Sequence, residues 1–137
     1  MSFQNQFTKT TTDANLMETV HHGNAEYPFR YYYENIALFD FKCIDWHWHS
    51  ELEFIYIESG NVVFDIGTVH FELNEGNGIM INSKILHRLQ SSSDAIIPNF
   101  LFQPSFIAPQ DSLIYKKYIN PVISSSLEYL VFQPDIP

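Results

Sequence analysis

Three scarcities in this chain each remove a class of answers. Cys43 is the only cysteine, so no disulfide can close within the chain. That suits a reducing compartment. Basic side chains are few: 7 Lys and Arg stand against 16 Asp and Glu, a formal net charge of −9. The nearest approach to a basic run is Lys116-Lys117. A nucleic-acid binder must neutralise phosphates with cations, so this chain by itself should repel DNA. The same acidity argues against docking on an anionic membrane. Long apolar runs are missing too, and the polar stretch Met1 to Leu16 carries no signal-peptide core. The expected location is the cytoplasm, with no membrane partner.

What the chain has in plenty is aromatic side chains, with 12 Phe and 8 Tyr among 137 residues. Flat and β-branched side chains pack well on a pleated surface, so strands are expected. The length suits one domain that folds without a disulfide or metal staple. Residues 1–28 read as an N-terminal arm, polar up to about residue 26, in which His21-His22 reads as a solvated pair. Tyr31 to Phe41 reads as one or two strands, with Phe39, Phe41, Ile55 and Ile57 in the interior. Leu52 to Glu58 is a further strand. Asn61 to Ile66 and Val69 to Leu73 flank Gly67-Thr68 as a hairpin. Ile79 to Ile81, His87 to Gln90 and Ile96 to Phe102 complete a series of short strands. Such spacing points to a mainly β sandwich or closed barrel. Beyond Phe102, Asp111-Ser112 predicts a short helix through Ile119 that Pro121 ends. Leu127 to Phe132 reads as a last strand or ordered segment.

The chemistry concentrates in Trp46-His47-Trp48-His49-Ser50-Glu51-Leu52-Glu53. Residues two apart on a strand point the same way, so His47 and His49 share one face, Glu53 has the same parity, and Trp46 and Trp48 face away. His87 is a fourth candidate donor. Imidazoles with a carboxylate suit a divalent metal such as Zn, Ni, Fe or Mn. Arg88, beside His87, could meet an effector carboxylate or lie as a surface cation. Cys43 reads as a small core residue, and Lys116-Lys117 as a solvated helix face.

The spacing resembles the two cupin motifs. His47-x-His49, Glu53 and Gly60 match the first; Gly76, Asn82 and His87 match the second. Phe41 stands where a glycine usually precedes the first His pair, and Asn82-Ser83 replaces an expected proline. Within cupins, the stretch from His47 to Glu53 and that from Gly76 to His87 resemble the sensor domain of AraC-type transcription regulators. Phe106, Ser112 to Pro121 and Leu127 to Phe132 resemble the segment that follows the sensor in that family. The resemblance covers roughly residues 30 to 133. It implies a cupin-type double-stranded β-helix, a jelly-roll barrel, over residues 29–103. Residues 104–137 then form an extension of short helix, strand and start of a linker.

The implied function is a ligand-sensing domain. It binds a small effector, a sugar or sugar derivative among the candidates, through His47, His49, Glu53, His87 and Arg88. DNA is contacted only through a helix-turn-helix domain that this chain lacks. The family often forms homodimers, and Leu113, Ile114, Tyr115, Tyr118 and Ile119 could supply such a surface. For His47, His49, Glu53 and His87 three readings stand open: a metal site, a hydrogen-bonding set for an organic effector, or an internal pairing. The competing functions are a small metal-dependent cupin enzyme, dioxygenase or isomerase, and a sugar-binding module without regulatory output.

Overall fold

The computed structural model describes residues 7–134. Among the described residues, nine short strands form two antiparallel sheets. They are β1 (Phe29–Tyr32), β2 (Cys43–His47), β3 (Leu52–Tyr56), β4 (Asn61–Ile66), β5 (Val69–Asn74), β6 (Gly78–Ile81), β7 (His87–Gln90), β8 (Asn99–Phe102) and β9 (Tyr129–Phe132). One sheet runs β1-β8-β3-β6-β9 and the other β2-β7-β4-β5. This is the cupin jelly roll, two sheets closed around one interior.

Alternation along each strand builds that interior. Ile55 and Ile57 meet Val62, Phe64, Ile66, Ile79, Ile81 and Leu89, all buried between the sheets. The expected β4–β5 hairpin forms across Gly67-Thr68, pairing Ile66 with Val69. At the other end of β4, Gly60 takes φ +82, and a Cβ there would lie 2.4 Å from the Asp94 carbonyl oxygen. Gly60→Ala should therefore cost about 1 to 3 kcal/mol through strain at a left-handed position, read as a lower urea midpoint at unchanged slope.

The five-stranded sheet departs from simple alternation. Its outward positions are apolar in every strand: Phe29 and Tyr31, then Phe100 and Phe102, then Leu52, Phe54 and Tyr56, then Met80, then Leu130 and Phe132. Ile123 and Leu127 cover one end of this face, against Leu52, Met80 and Phe102. Phe106 stacks on Phe29 at 5.3 Å between ring centroids.

Three expectations are corrected. Of the one or two strands expected over Tyr31 to Phe41 only the start is strand: β1 stops at Tyr32, and 3-10 turns follow at Ile36–Leu38 and Asp40–Lys42. Phe41 is not interior; it sits at φ 61 and is 99% exposed, because those turns break the alternation that would have turned it inward. Phe39 is buried as expected. Pro121 does not end the helix. The helical segment passes through a π-helical stretch, Tyr115–Ile119, into α1 (Asn120–Ile123). Pro121 falls in the first turn of α1, where a missing N–H costs little. Leu127 to Phe132 contributes β9, which pairs with β6.

Candidate metal and effector site

β2 delivers His47 from one sheet. The chain then crosses to the other through His49-Ser50-Glu51, and β3 delivers Glu53. Strand parity therefore does not explain Glu53. It faces the imidazoles because it comes from the opposite sheet. His87 opens β7 and pairs directly with His47, their ring centroids 4.2 Å apart. The four side chains are buried, and one ligand atom from each lies within 4.8 Å of the others.

The hydrogen bonds fix what these groups present to one another. The Nδ1–H of His47 donates to the Asp45 carbonyl at 2.7 Å. That of His49 donates to the Glu51 carbonyl at 3.0 Å, and that of His87 to the Ile85 carbonyl at 2.7 Å. A carbonyl can only accept, so each Nδ1 carries a proton and each neutral ring turns an Nε2 lone pair inward. His49 Nε2 lies 3.1 Å, and His87 Nε2 3.2 Å, from the same Glu53 Oε1. Lone pairs facing a carboxylate repel unless a cation sits among them. Either a proton or a metal ion meets that need. Backbone carbonyls that pin the far nitrogen of each ring are the outer support typical of a metal site.

Without a metal, the proton resides on His49. Burial opposes it, but the hydrogen bond and charge of Glu53 win, and His49 rises to about 9. Burial would raise Glu53, yet its contacts with His49 and His87 hold it well below the usual carboxylate range. Burial first, then the neighbouring His87, drops His47 to about 3, so its Nε2 stays unprotonated.

Beside this cluster lies a cavity of about 50 Å³. Its lining includes groups that sequence reasoning missed: Glu18, His22, Tyr32, Glu34 and Asn99. His22 is corrected from solvated to buried. Its Nε2–H donates to the Glu18 carboxylate, its Nδ1 meets the Tyr32 hydroxyl at 2.7 Å, and its ring stands edge-on to His49. The i, i+4 spacing of Glu18 and His22 was the one local hint of this pair. Glu34 accepts from Asn99 at 2.9 Å, and burial pushes its carboxyl up to about 7, with Glu53 adding to the rise.

The arm reaches the cavity without forming a named strand. Single bridges join Thr12 to Glu18 and Met17 to Trp48, and Trp48 Nε1–H donates to the Asn15 carbonyl at 2.9 Å. Its first six residues lie outside the described ones.

Arg88 is not brought to the cluster. It points to the other side of β7, bonds Asp65 at 3.1 and 3.2 Å, and lies 5.0 Å over the Trp46 ring. Trp46 and Trp48 face away from the imidazoles, as parity predicts. Cys43 is half-buried, and burial raises its thiol pKa. Of the expected dimer residues, Tyr115 is buried, while Leu113, Ile114 and Tyr118 are exposed.

Comparison with known proteins agrees with the architecture. A cupin 2 conserved barrel domain protein from Salinispora arenicola superposes with a TM-score of 0.50 at 11% identity, covering 76% of each chain. An RmlC-like cupin from Shewanella frigidimarina superposes with a TM-score of 0.50 at 13% identity, covering 73% of this chain and 94% of that one. In sequence, the chain is 33% identical over 121 residues to the uncharacterized HTH-type transcriptional regulator YdeC of Bacillus subtilis. The match takes in 86% of this chain but spans only 41% of that regulator's length. The family model described as the AraC-like ligand binding domain matches residues 39–108, half of the chain. This chain belongs to the AraC-like ligand-binding domain family.

Proposed function

We propose that this chain is the ligand-sensing domain of a longer AraC-type transcription regulator and that His47, His49, Glu53 and His87 hold a divalent metal ion. One observation supports the metal above the others: three imidazoles, each pinned at Nδ1, turn their Nε2 atoms toward one buried carboxylate. That donor set fits zinc, nickel, iron or manganese. A bound ion would supply a Lewis acid that anchors an oxygen of the effector. The protein's own groups do the rest. Glu34 and Asn99 offer polar contacts on the far wall, and Phe39, Ile44 and Leu101 exclude water. Control of DNA would run through a helix-turn-helix module outside this chain, and a cytoplasmic location goes with that reading.

The size of the cavity bears on how an effector enters. Apolar cavities of about 150 Å³ hold benzene. A space of about 50 Å³ is too small for a sugar. Phe7, Lys9, Thr10, Glu18, Val20 and His22 make up much of the wall, and all belong to the arm. A sugar or sugar derivative therefore binds only if the arm yields, and displacement of the arm is the signal passed on. An effector drives this only by favouring one arm position over the other.

Thermal unfolding of the chelator-stripped chain tests both parts. Adding zinc, nickel, iron or manganese at about 100 times its Kd should stabilise the fold by about 2.7 kcal/mol. A panel of pentoses, hexoses and their acids should then raise the midpoint further. Failure of every metal sinks the metal reading. Failure of every small molecule in the metal-loaded protein sinks the sensor reading.

Glu34 favours a second reading, a small metal-dependent enzyme. A buried carboxyl held at about 7 beside the cluster is poised to exchange protons near neutrality. Oxygen consumption or sugar isomerisation by the metal-loaded chain, lost in Glu34→Gln, would establish the enzyme over the sensor.

A further inference from the structure

We propose that the cavity beside the cluster selects an effector that carries a protonated amine, held against Glu34 and Asn99, and that its chemical class is the amino sugars and short amino alcohols. This selectivity rests on the sensing role proposed above and adds what the sensor recognises.

The wall built by Glu34 and Asn99 offers acceptors. The two residues are 6% and 3% exposed. One oxygen of Glu34 accepts an N–H from the Asn99 amide at 2.9 Å. The same amide nitrogen gives its other hydrogen to the Ile97 carbonyl at 2.9 Å. Both amide hydrogens are then used, so Asn99 can offer a ligand only its carbonyl oxygen. Glu34 can offer its second carboxyl oxygen. Among the described residues nothing donates to either of these two atoms, and neither is sealed away without a partner. Both therefore open on the cavity that the two residues line. Two buried acceptors side by side call for a group rich in donors. A hydroxyl brings one hydrogen. An ammonium brings three, and a charge opposite to that of the carboxylate.

Charge points the same way. The other two carboxylates at the cavity have ring N–H partners: Glu53 has His49, and Glu18 has His22. Glu34 has a neutral amide. Burial therefore raises its carboxyl to about 7, against the Asn99 hydrogen bond and with Glu53 adding to the rise. An ammonium on that carboxylate offsets the cost of burying it. Lys9 also lines the cavity, but it is 73% exposed and its ammonium lies 3.8 Å from Asp40. A sugar acid would bring its carboxylate to a wall of Glu18, Glu34 and Glu53, where like charges repel. A divalent ion less the charge of Glu53 leaves the cluster positive, which suits an effector oxygen rather than its amine. An effector with a hydroxyl and an amine therefore matches both ends of the space.

Calorimetric titration of two series of small molecules is the test. One series is glucosamine, glucose and glucuronate; the other is ethanolamine, ethylene glycol and glycolate. Each sets an amine against hydroxyl and carboxylate counterparts. The sugars require the arm to move and the two-carbon compounds ask less of it, so the series separate an effector that displaces the arm from one held beneath it. Titrating with and without zinc reads the amine preference independently of the metal.

In at least one series the amine should bind about 10- to 100-fold more tightly than the hydroxyl compound, with the carboxylate weakest. Glu34→Gln should remove that margin, with circular dichroism reporting whether the variant is folded. Glu34→Asp, which keeps the charge, should restore much of it. The comparison within the parent chain stands even where a variant fails to fold. A hydroxyl or carboxylate compound that binds as tightly as its amine counterpart in both series overturns the proposal and leaves the sensing role standing. So does an amine preference that survives in folded Glu34→Gln. Binding by none of these compounds overturns the proposal and counts against the sensing role with it.

Discussion

His49→Ala should lower the stability of the metal-free chain at pH 7 by about 3 to 5 kcal/mol, a fall of roughly 10 to 20 °C in unfolding midpoint. The reasoning starts from Glu53, which is buried and ionised because the His49 imidazolium sits against it. Without His49, that carboxylate must either stay charged and unpaired or take up a proton it ordinarily binds only in acid. Removing one partner of a buried pair costs more than the pair ever contributed, because the other charge is left desolvated. His47→Ala is the matched control. His47 is neutral when no metal is bound, so its loss leaves no bare charge, and the cost should be visibly smaller. Both variants should lose divalent-metal binding by at least 100-fold, more than a missing outer support costs. Equal and small stability losses would show that Glu53 and His49 are not the ion pair described.

Metal affinity should rise about tenfold per pH unit, so by about 100-fold between pH 6 and pH 8. The metal-free site holds one proton on His49 Nε2, at a pKa raised to about 9, and an ion must displace it. His47 contributes no proton in this range, since its pKa is lowered to about 3. Calorimetry in buffers of differing ionisation enthalpy should therefore find the His49 proton released as the ion binds at neutral pH.

The same shifts set the stability of the metal-free fold. The raised pKa of His49 contributes stability that is complete below its ordinary value of 6.5 and is lost as pH climbs through about 9. The lowered pKa of His47 works in the opposite direction: its contribution is present above 6.5 and is lost as pH falls toward about 3. Glu53, also lowered, adds a contribution present above its ordinary 4.5 and lost in stronger acid. For these groups, stability should peak near pH 6.5 and fall on both sides. A flat affinity profile with no proton release would mean that His49 is not the proton's seat.

The cluster was legible because three of its members, His47, His49 and Glu53, lie close together in the sequence. His47 and His49 share a face by parity, and the resemblance to the second cupin motif, Gly76 to His87, supplied the fourth member. Glu53 was found for an incomplete reason, since it reaches the site from the opposite sheet. What could not be read was the other wall of the cavity. Glu34 and Asn99 are 65 residues apart and meet only because β1 pairs with β8. Glu18 and His22 belong to a polar arm with no periodicity, and tertiary packing alone draws them inward. Arg88 follows the cluster residue His87 on the same strand, and alternation sends it outward to Asp65 and Trp46. Phe41 misled for a related reason: apolar character suggested burial, while two consecutive left-handed residues, Phe41 and Lys42, turn the chain out. The apolar runs through β3 and β8 did carry a signal, that both faces of their sheet are greasy. Composition alone could not say which face meets the barrel core.

X-ray absorption spectroscopy on the zinc-loaded chain is the most direct measurement of the central claim. It should show an imidazole-rich first shell, with three nitrogens at about 2.0 to 2.1 Å and a carboxylate oxygen, that fails to assemble in His87→Ala. A zinc ion bound with the same shell in that variant, or one surrounded by oxygen alone, would contradict the account.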